Sequence, residues 1–204
     1  MSPARGVGCR AVPPLVGIFL CVLSTAILAV QRGVPPAKPS SENVKGFKEF
    51  TERVQAYLVL RKKVESGLPP LAPTDLPEMI VAYEQALAGK LQAARVRAKA
   101  GDVFTSDARE AFRRAGRATL GGPERAGARA YMRVEAPSPA LLLEVNGVYP
   151  YTAPITAISP VLLAAFPTLP EQVAYRVVGR TLMLVDLTSR LIVDVMRFAL
   201  PPEP

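Results

Sequence analysis

The chain has 204 residues, a net charge of +8, no His, no Trp and two Cys, both within the first 21 residues. Without His, and with no thiol beyond Cys21, zinc, copper and haem lose their usual ligands, and Ser-His-Asp, Cys-His and His general-base chemistry are excluded. Carboxylate-only calcium or magnesium sites survive that test, but no Asp-rich loop of the EF-hand kind is present, so no metal and no cofactor is expected.

Residues 1–30 read as a signal peptide. Arg5 and Arg10 precede an apolar stretch from Pro13 to Val30, whose core, Leu15–Val30, carries no charge. As a helix it would be about 24 Å long, short of the roughly 30 Å hydrocarbon core of a bilayer. That length fits an export signal with cut sites near Ala26 or Ala29. The alternative is an inner-membrane anchor formed by residues 13–30. Cleavage removes Cys9 and Cys21, so the exported chain would hold no disulfide and rely on its core. Roughly 165–175 residues would remain, enough for one domain.

Residues 31–41 form a Pro-rich tether. A helical region at 42–135 and a β-rich region at 136–204 are expected to pack as one α+β domain. The tether and leader hold four of the excess positive charges. Residues 39–135 carry 17 Lys or Arg against 12 Asp or Glu, and residues 136–204 carry four against five. A nucleic-acid binder concentrates more charge than this, so no nucleic-acid partner is expected.

The first helix is expected from about Asn43 to Ser66, with Phe47, Phe50, Val54, Tyr57, Leu58, Arg61 and Val64 on one face and Gly67 as its stop. Leu68–Pro73 is a rigid connector. Asp75 and Glu78 suggest a capping box for a second helix, with Ile80, Tyr83, Leu87, Leu91, Ala94 and Ala98 inward and Gly101 at its end. These two helices should pair as an antiparallel hairpin. Thr105, Ser106 or Asp107 caps a third, running to about Thr119, and Pro123 opens a fourth, to about Arg133.

Leu141–Val145 is a candidate strand, and Ser159–Phe166 a short capped helix. Gln172–Val178, Thr181–Asp186 and Leu191–Met196 give the clearest strand signal. A two-residue loop at Gly179-Arg180 pairs Val177 with Leu182 and Tyr175 with Leu184. A four-residue loop, Leu187–Arg190, would then pair Leu184 with Val193 and Leu182 with Val195. That register places Tyr175, Val177, Leu182, Leu184, Leu191, Val193 and Val195 on one face, whereas a one-residue slip would put Asp194 among them. The expectation is an antiparallel β-meander of three or four strands, with helices on its apolar face.

Arginines supply the candidate binding residues. Arg109, Arg113 and Arg117 step by four along the third helix, and Arg125, Arg129 and Arg133 along the fourth. Each set occupies one helical face and suits phosphate, anionic lipid or acidic glycan; an ordinary solvated face is the other reading. The charges from Lys45 to Glu65 read as a solvent face, with Glu49 and Arg53 paired. Asp102 reads as a turn residue. Asp186 and Asp194, with Arg176, Arg180 and Arg190, suggest a polar cluster on the sheet's outer face. Tyr149 and Tyr151 stand in a turn-rich loop, either gripping a ligand or filling the core.

Leu68-Pro69-Pro70-Leu71-Ala72-Pro73-Thr74, Gly101-Asp102-Val103-Phe104, Tyr175–Arg180, Leu182–Asp186 and Leu191–Asp194 together resemble a family of small exported bacterial proteins of uncharacterised function. The resemblance covers about residues 45–201. It implies export and a shared fold, and brings no activity, cofactor or active-site residues with it.

The expectation is therefore an exported, non-enzymatic periplasmic or cell-envelope protein, acting as a binding or accessory component. The alternative is an extracytoplasmic anion-binding module using the arginine ridges. Its partner would be an envelope protein or an anionic surface, with the membrane involved only through an uncleaved leader. Mass spectrometry of protein recovered from the envelope fraction is expected to find an N-terminus beginning just after Ala26 or Ala29. An intact Met1 on membrane-bound protein would show an anchor instead.

Overall fold

A computed structural model of the protein describes residues 41–121, residue 127, residues 143–153 and residues 158–201. Of the fourth predicted helix only Gly127 is described, and it is helical; Arg125, Arg129 and Arg133 lie outside the described residues, as do the leader and residues 31–40 of the tether, while Ser41 already belongs to the first helix.

Helices and an antiparallel sheet make this an α+β protein. Helix α1 spans Ser41–Glu65, α2 Pro77–Ala94, α3 Ser106–Leu120 and α4 Pro160–Ala164. Strands β1 (Val173–Val178), β2 (Thr181–Asp186) and β3 (Ile192–Met196) form one sheet in that order.

The stripe predicted for α1 points inward: Phe50, Val54, Tyr57 and Arg61 are buried at three- and four-residue steps. Its main helical partner is α3, and the two backbones approach closely at Gly46. A Cβ there would stand 2.5 Å from the Asp107 carbonyl oxygen, so no larger residue fits. That approach lets the aromatic rings interlock. Phe50 stacks on Phe104 at 5.2 Å and meets Phe112 edge-on at 4.9 Å; Phe112 in turn meets Phe166 at 4.7 Å and Tyr175 at 5.9 Å. Edge-to-face pairs at these distances add about 0.5–1.5 kcal/mol each beyond their burial.

Helix α2 departs from expectation at both ends. Leu76, not Asp75, is its N-cap, and no side chain caps it; the Thr74 hydroxyl instead accepts from Leu76 N–H at 3.1 Å. The helix stops at Ala94 rather than Gly101, because Arg95 leaves helical geometry and sends its Nη2 to the Val193 carbonyl at 2.7 Å. Only Leu87, Ala88 and Leu91 are buried, and Leu76, Met79 and Ile80 stay exposed.

The first hairpin follows the predicted register, pairing Val178 with Thr181, Val177 with Leu182 and Tyr175 with Leu184. The second starts as expected, with Asp186 N–H donating to the Leu191 carbonyl at 2.9 Å. A bulge then intervenes between Leu184 and Val185. Beyond it Leu184 faces Asp194, Met183 faces Val195, and Leu182 faces Met196. The extra residue keeps Val193 on the helix side, puts Asp194 beside it, and moves Val195 to the far side.

The sheet's outer face is also covered. Val178, Met183, Val185, Ile192 and Val195 pack with Tyr149 and Ala153, and with the partly buried Leu143 and Val145. Residues 143–145 are not a strand, contrary to expectation; 141 and 142 lie outside the described residues. Asn146, in the left-handed region at φ 66°, turns the chain first. Only after it does the backbone pair with β3, through Asn146 N–H to Ile192 O, Ile192 N–H to Gly147 O, and a bridge between Val148 and Leu191.

Asp186 and Asp194 are corrected together: both are fully buried on the helix side of the sheet, not clustered on its outer face. Asp186 Oδ2 accepts from Arg61 Nε at 2.7 Å and Tyr57 Oη at 2.9 Å. Its Oδ1 accepts from Ser189 and Thr188 N–H, closing the β2–β3 turn. Arg61 is thus an interior residue, also bonded to Glu65 at 2.7 Å, and not part of a solvent face.

Burial, reinforced by Asp186, pushes the Tyr57 hydroxyl well above the ordinary tyrosine range, and burial does the same for Tyr175. The unfolded chain loses these protons near pH 10, while the folded chain keeps them. Their contribution to stability is therefore complete below that pH and is lost as pH rises through the raised values. Urea unfolding at pH 8 and pH 11 is expected to show this fall. Tyr57→Phe should lose about 1.5–3 kcal/mol at pH 8, the worth of a hydrogen bond to a charged group, and show a shallower decline above pH 10.

Candidate functional site

The α3 sequence places its small and aromatic residues inward. Ala108, Ala111, Phe112, Ala115 and Gly116 are buried, so Arg109, Arg113 and Arg117 emerge together along one flank of that face, about one turn apart. Thr105 caps the helix, its hydroxyl accepting from Ala108 N–H at 3.4 Å. Arg109 and Arg113 are half-buried and Arg117 is exposed.

The ridge is braced from behind by Asp194. Its Oδ2 accepts from Val103 N–H at 2.8 Å and Phe104 N–H at 2.7 Å, and its Oδ1 from Gly101 N–H at 3.0 Å and Val195 N–H at 2.7 Å. These bonds draw the 101–104 loop onto the sheet. Gly101 sits at φ 101°, a backbone conformation that favours glycine, and packs beside the end of the Arg109 side chain, whose Nη2 would lie 3.3 Å from a Cβ placed there. The Phe104 carbonyl, fixed by the same loop, accepts from Arg109 Nε at 2.8 Å. Asp102 acts as a turn residue, its carboxylate accepting from Lys99 N–H at 2.9 Å.

Two surface depressions meet along this ridge. The first, about 510 Å³, is lined by the 100–104 loop and by Ser106, Arg109, Glu110, Arg113 and Arg117. The second, about 480 Å³, shares Ala100, Arg109 and Arg113 with it and adds Glu144, Val195, Arg197 and Phe198 among others. These two adjoining depressions make up a groove that holds four arginines between them, Arg117 lining only the first and Arg197 only the second. Among the described residues none of these four is ion-paired with a carboxylate. Of the two carboxylates in the groove, Glu110 lies 3.8 Å from Arg114, outside the lining. Backbone carbonyls hold Arg109, as above, and Arg113, whose Nε donates to Phe198 O at 3.4 Å. Main-chain carbonyls orient the guanidinium groups without neutralising them, so the groove keeps its positive charge.

The structure thus brings Arg109, Arg113 and Arg117 to one groove, while Arg125, Arg129 and Arg133 lie outside the described residues. Arg197 and Phe198 were not foreseen. They follow β3 directly, and no spacing in the sequence ties them to a helix ninety residues earlier. The buried Arg61–Asp186 pair did leave a signal, since Arg61 stands in the apolar stripe four residues after Tyr57.

Other predicted charges behave as surface residues: Lys45 pairs with Asp107 at 2.7 Å and Arg53 with Glu49 at 3.8 Å. Tyr149 is a core residue. Tyr151 is exposed, lies under the Arg190 guanidinium at 3.5 Å and donates to Glu84. Among the described residues no group of three carboxylates is placed to hold a metal ion, and no helix is long and apolar enough to cross a membrane. No family model matches the chain, and no curated protein or solved structure is significantly similar to it.

Asp194→Asn tests the brace. An amide nitrogen cannot accept, so at least one buried N–H loses its partner, at a cost of about 1–3 kcal/mol. Chemical denaturation should record that loss, and hydrogen exchange should quicken at Gly101, Val103 and Phe104 first.

Proposed function

We propose that the protein is exported and works without catalysis as an anion-binding component of the cell envelope. One observation carries the proposal: three arginines of α3 and Arg197 line two adjoining depressions that share Arg109 and Arg113, with no ion-pair partner among the described residues. Guanidinium groups at one-turn intervals, two of them half-buried against carbonyl oxygens, suit repeated contact with carboxylate, sulfate or phosphate. The leader supports an extracytoplasmic location, periplasmic or extracellular. Membership in a family of exported proteins belongs to the same proposal, as does the pairing of α1 and α2 as a helical hairpin.

A protein partner is the second reading. It is favoured by Leu71, Leu76, Met79 and Ile80, which stay exposed along the connector and the first turns of α2. These side chains lie on elements that do not line the arginine groove, so the two readings are separable by mutation.

The test is retention on heparin-agarose at low ionic strength. Binding should weaken steeply between 50 and 300 mM salt, about as expected for contacts screened within a Debye length of 8–10 Å. The double variant Arg113→Glu/Arg117→Glu should elute at markedly lower salt with an unchanged far-ultraviolet spectrum. Retention equal to wild type would remove the groove as the binding site.

A further inference from the structure

We infer that the groove's ligand is an acidic saccharide, with a sugar ring lying on Phe198 and its anionic groups held by Arg113 and Arg197. The inference rests on the anion-binding reading above and adds the chemistry of the ligand.

Phe198 is the residue that demands an explanation. It adopts φ 55°, in the left-handed region that bulky side chains rarely occupy. The residue is 66 % exposed, so burial does little to offset the strain. Glycine or asparagine would meet the same turn without strain. The backbone here is held by its surroundings: Ala199 N–H donates to Arg180 O at 2.9 Å, and Phe198 O accepts from Arg113. Arg180 also lies against the ring, 5.4 Å from its centroid. A strained, over-determined, exposed aromatic at a concave site is the pattern that points to a ligand contact.

Its neighbours define that ligand. In the second depression Phe198 shares the lining with Arg109, Arg113 and Arg197, with the apolar Leu143, Val145 and Val195, and with one carboxylate, the exposed Glu144, against three guanidinium groups. A bare phosphate would use the arginines and leave the ring idle. A sugar offers the ring its electropositive C–H face, which suits the negative face of an aromatic, while its carboxylate or sulfate meets the guanidinium groups. Successive α3 arginines are about 6 Å apart along the helix axis, on the scale of one monosaccharide. A membrane surface fits less well. Phe198 is the one exposed large apolar residue lining the depression, whereas interfacial binding uses a broad apolar face.

The test is titration calorimetry on the whole exported protein with four probes: a tetragalacturonate, inorganic tripolyphosphate, an oligothymidylate and phosphatidylglycerol vesicles. The tetragalacturonate should bind most tightly. Phe198→Tyr should keep that affinity, and Phe198→Leu, which keeps the backbone strain and loses the π face, should weaken it about tenfold or more. Phe198→Asn should weaken it similarly while raising Tm. Tripolyphosphate binding should be equal in all four proteins. If Phe198→Leu binds tetragalacturonate as wild type does, or another probe binds more tightly, the saccharide inference is overturned and the anion reading stands. If Phe198→Asn lowers Tm and Phe198→Tyr loses affinity too, the ring is structural and the inference fails. Absence of binding to every probe would overturn both.

Discussion

The groove depends on one buried carboxylate. Asp194 is inaccessible to solvent and has no ion-pair partner among the described residues. Four backbone N–H groups satisfy it instead, three of them from the 101–104 loop. An isolated carboxylate in an apolar core would be prohibitive, so the loop and the strand require each other. Through the Phe104 carbonyl that arrangement sets the base of Arg109, and through Phe104 itself it fills the aromatic core beside Phe50 and Phe112. The β3 bulge is what makes it possible. Without the extra residue Asp194 would turn to the other face, and the loop would have nothing to close on.

Asp186 plays a parallel part at the end of the central strand β2. It joins α1 to the β2–β3 turn through Tyr57, Arg61, Thr188 and Ser189. Removing one member of such a network leaves a buried charge uncompensated, which is costlier than the net worth of the pair. The two aspartates thus fix β3 between the helical layer and the turn, while Tyr149, Leu143 and Val145 cover its outer side. Asn146 locks that cover in place, donating to Gln92 O at 3.1 Å and Arg95 O at 3.2 Å where α2 ends.

The parts of this fold legible in the sequence were those governed by local periodicity and turn chemistry. The α1 stripe, an α3 cap within Thr105–Asp107, which the structure resolves to Thr105, and the Gly179-Arg180 hairpin with its register all follow from neighbours a few residues apart. The β3 register did not follow, because hydrophobic burial alone argues against placing an aspartate inward. Only the donors at 101–104, about ninety residues away, reverse that balance. The α2 boundaries failed for a related reason: Gly101 is a real conformational signal, at φ 101°, but it serves the Asp194 loop and not a helix end. Of the site, the α3 ridge was visible as an (i, i+4) series. Arg197 and Phe198 reach it only through tertiary structure.

Burial also changes what the charge pattern means. By count, residues 136–204 are near neutral, with four arginines and five acids. Two of those acids, Asp186 and Asp194, are withdrawn into the interior. Arg61 and backbone donors satisfy them there, so they no longer compensate the surface arginines of the same segment. Arg197 therefore faces the α3 ridge with less opposing charge than the sequence count implies. The same two burials that build the sheet–helix junction leave the neighbouring surface electropositive. The same distribution of carboxylates that secures the sheet–helix junction leaves Arg109, Arg113, Arg117 and Arg197 without an ion-pair partner among the described residues, the first two oriented by main-chain carbonyls.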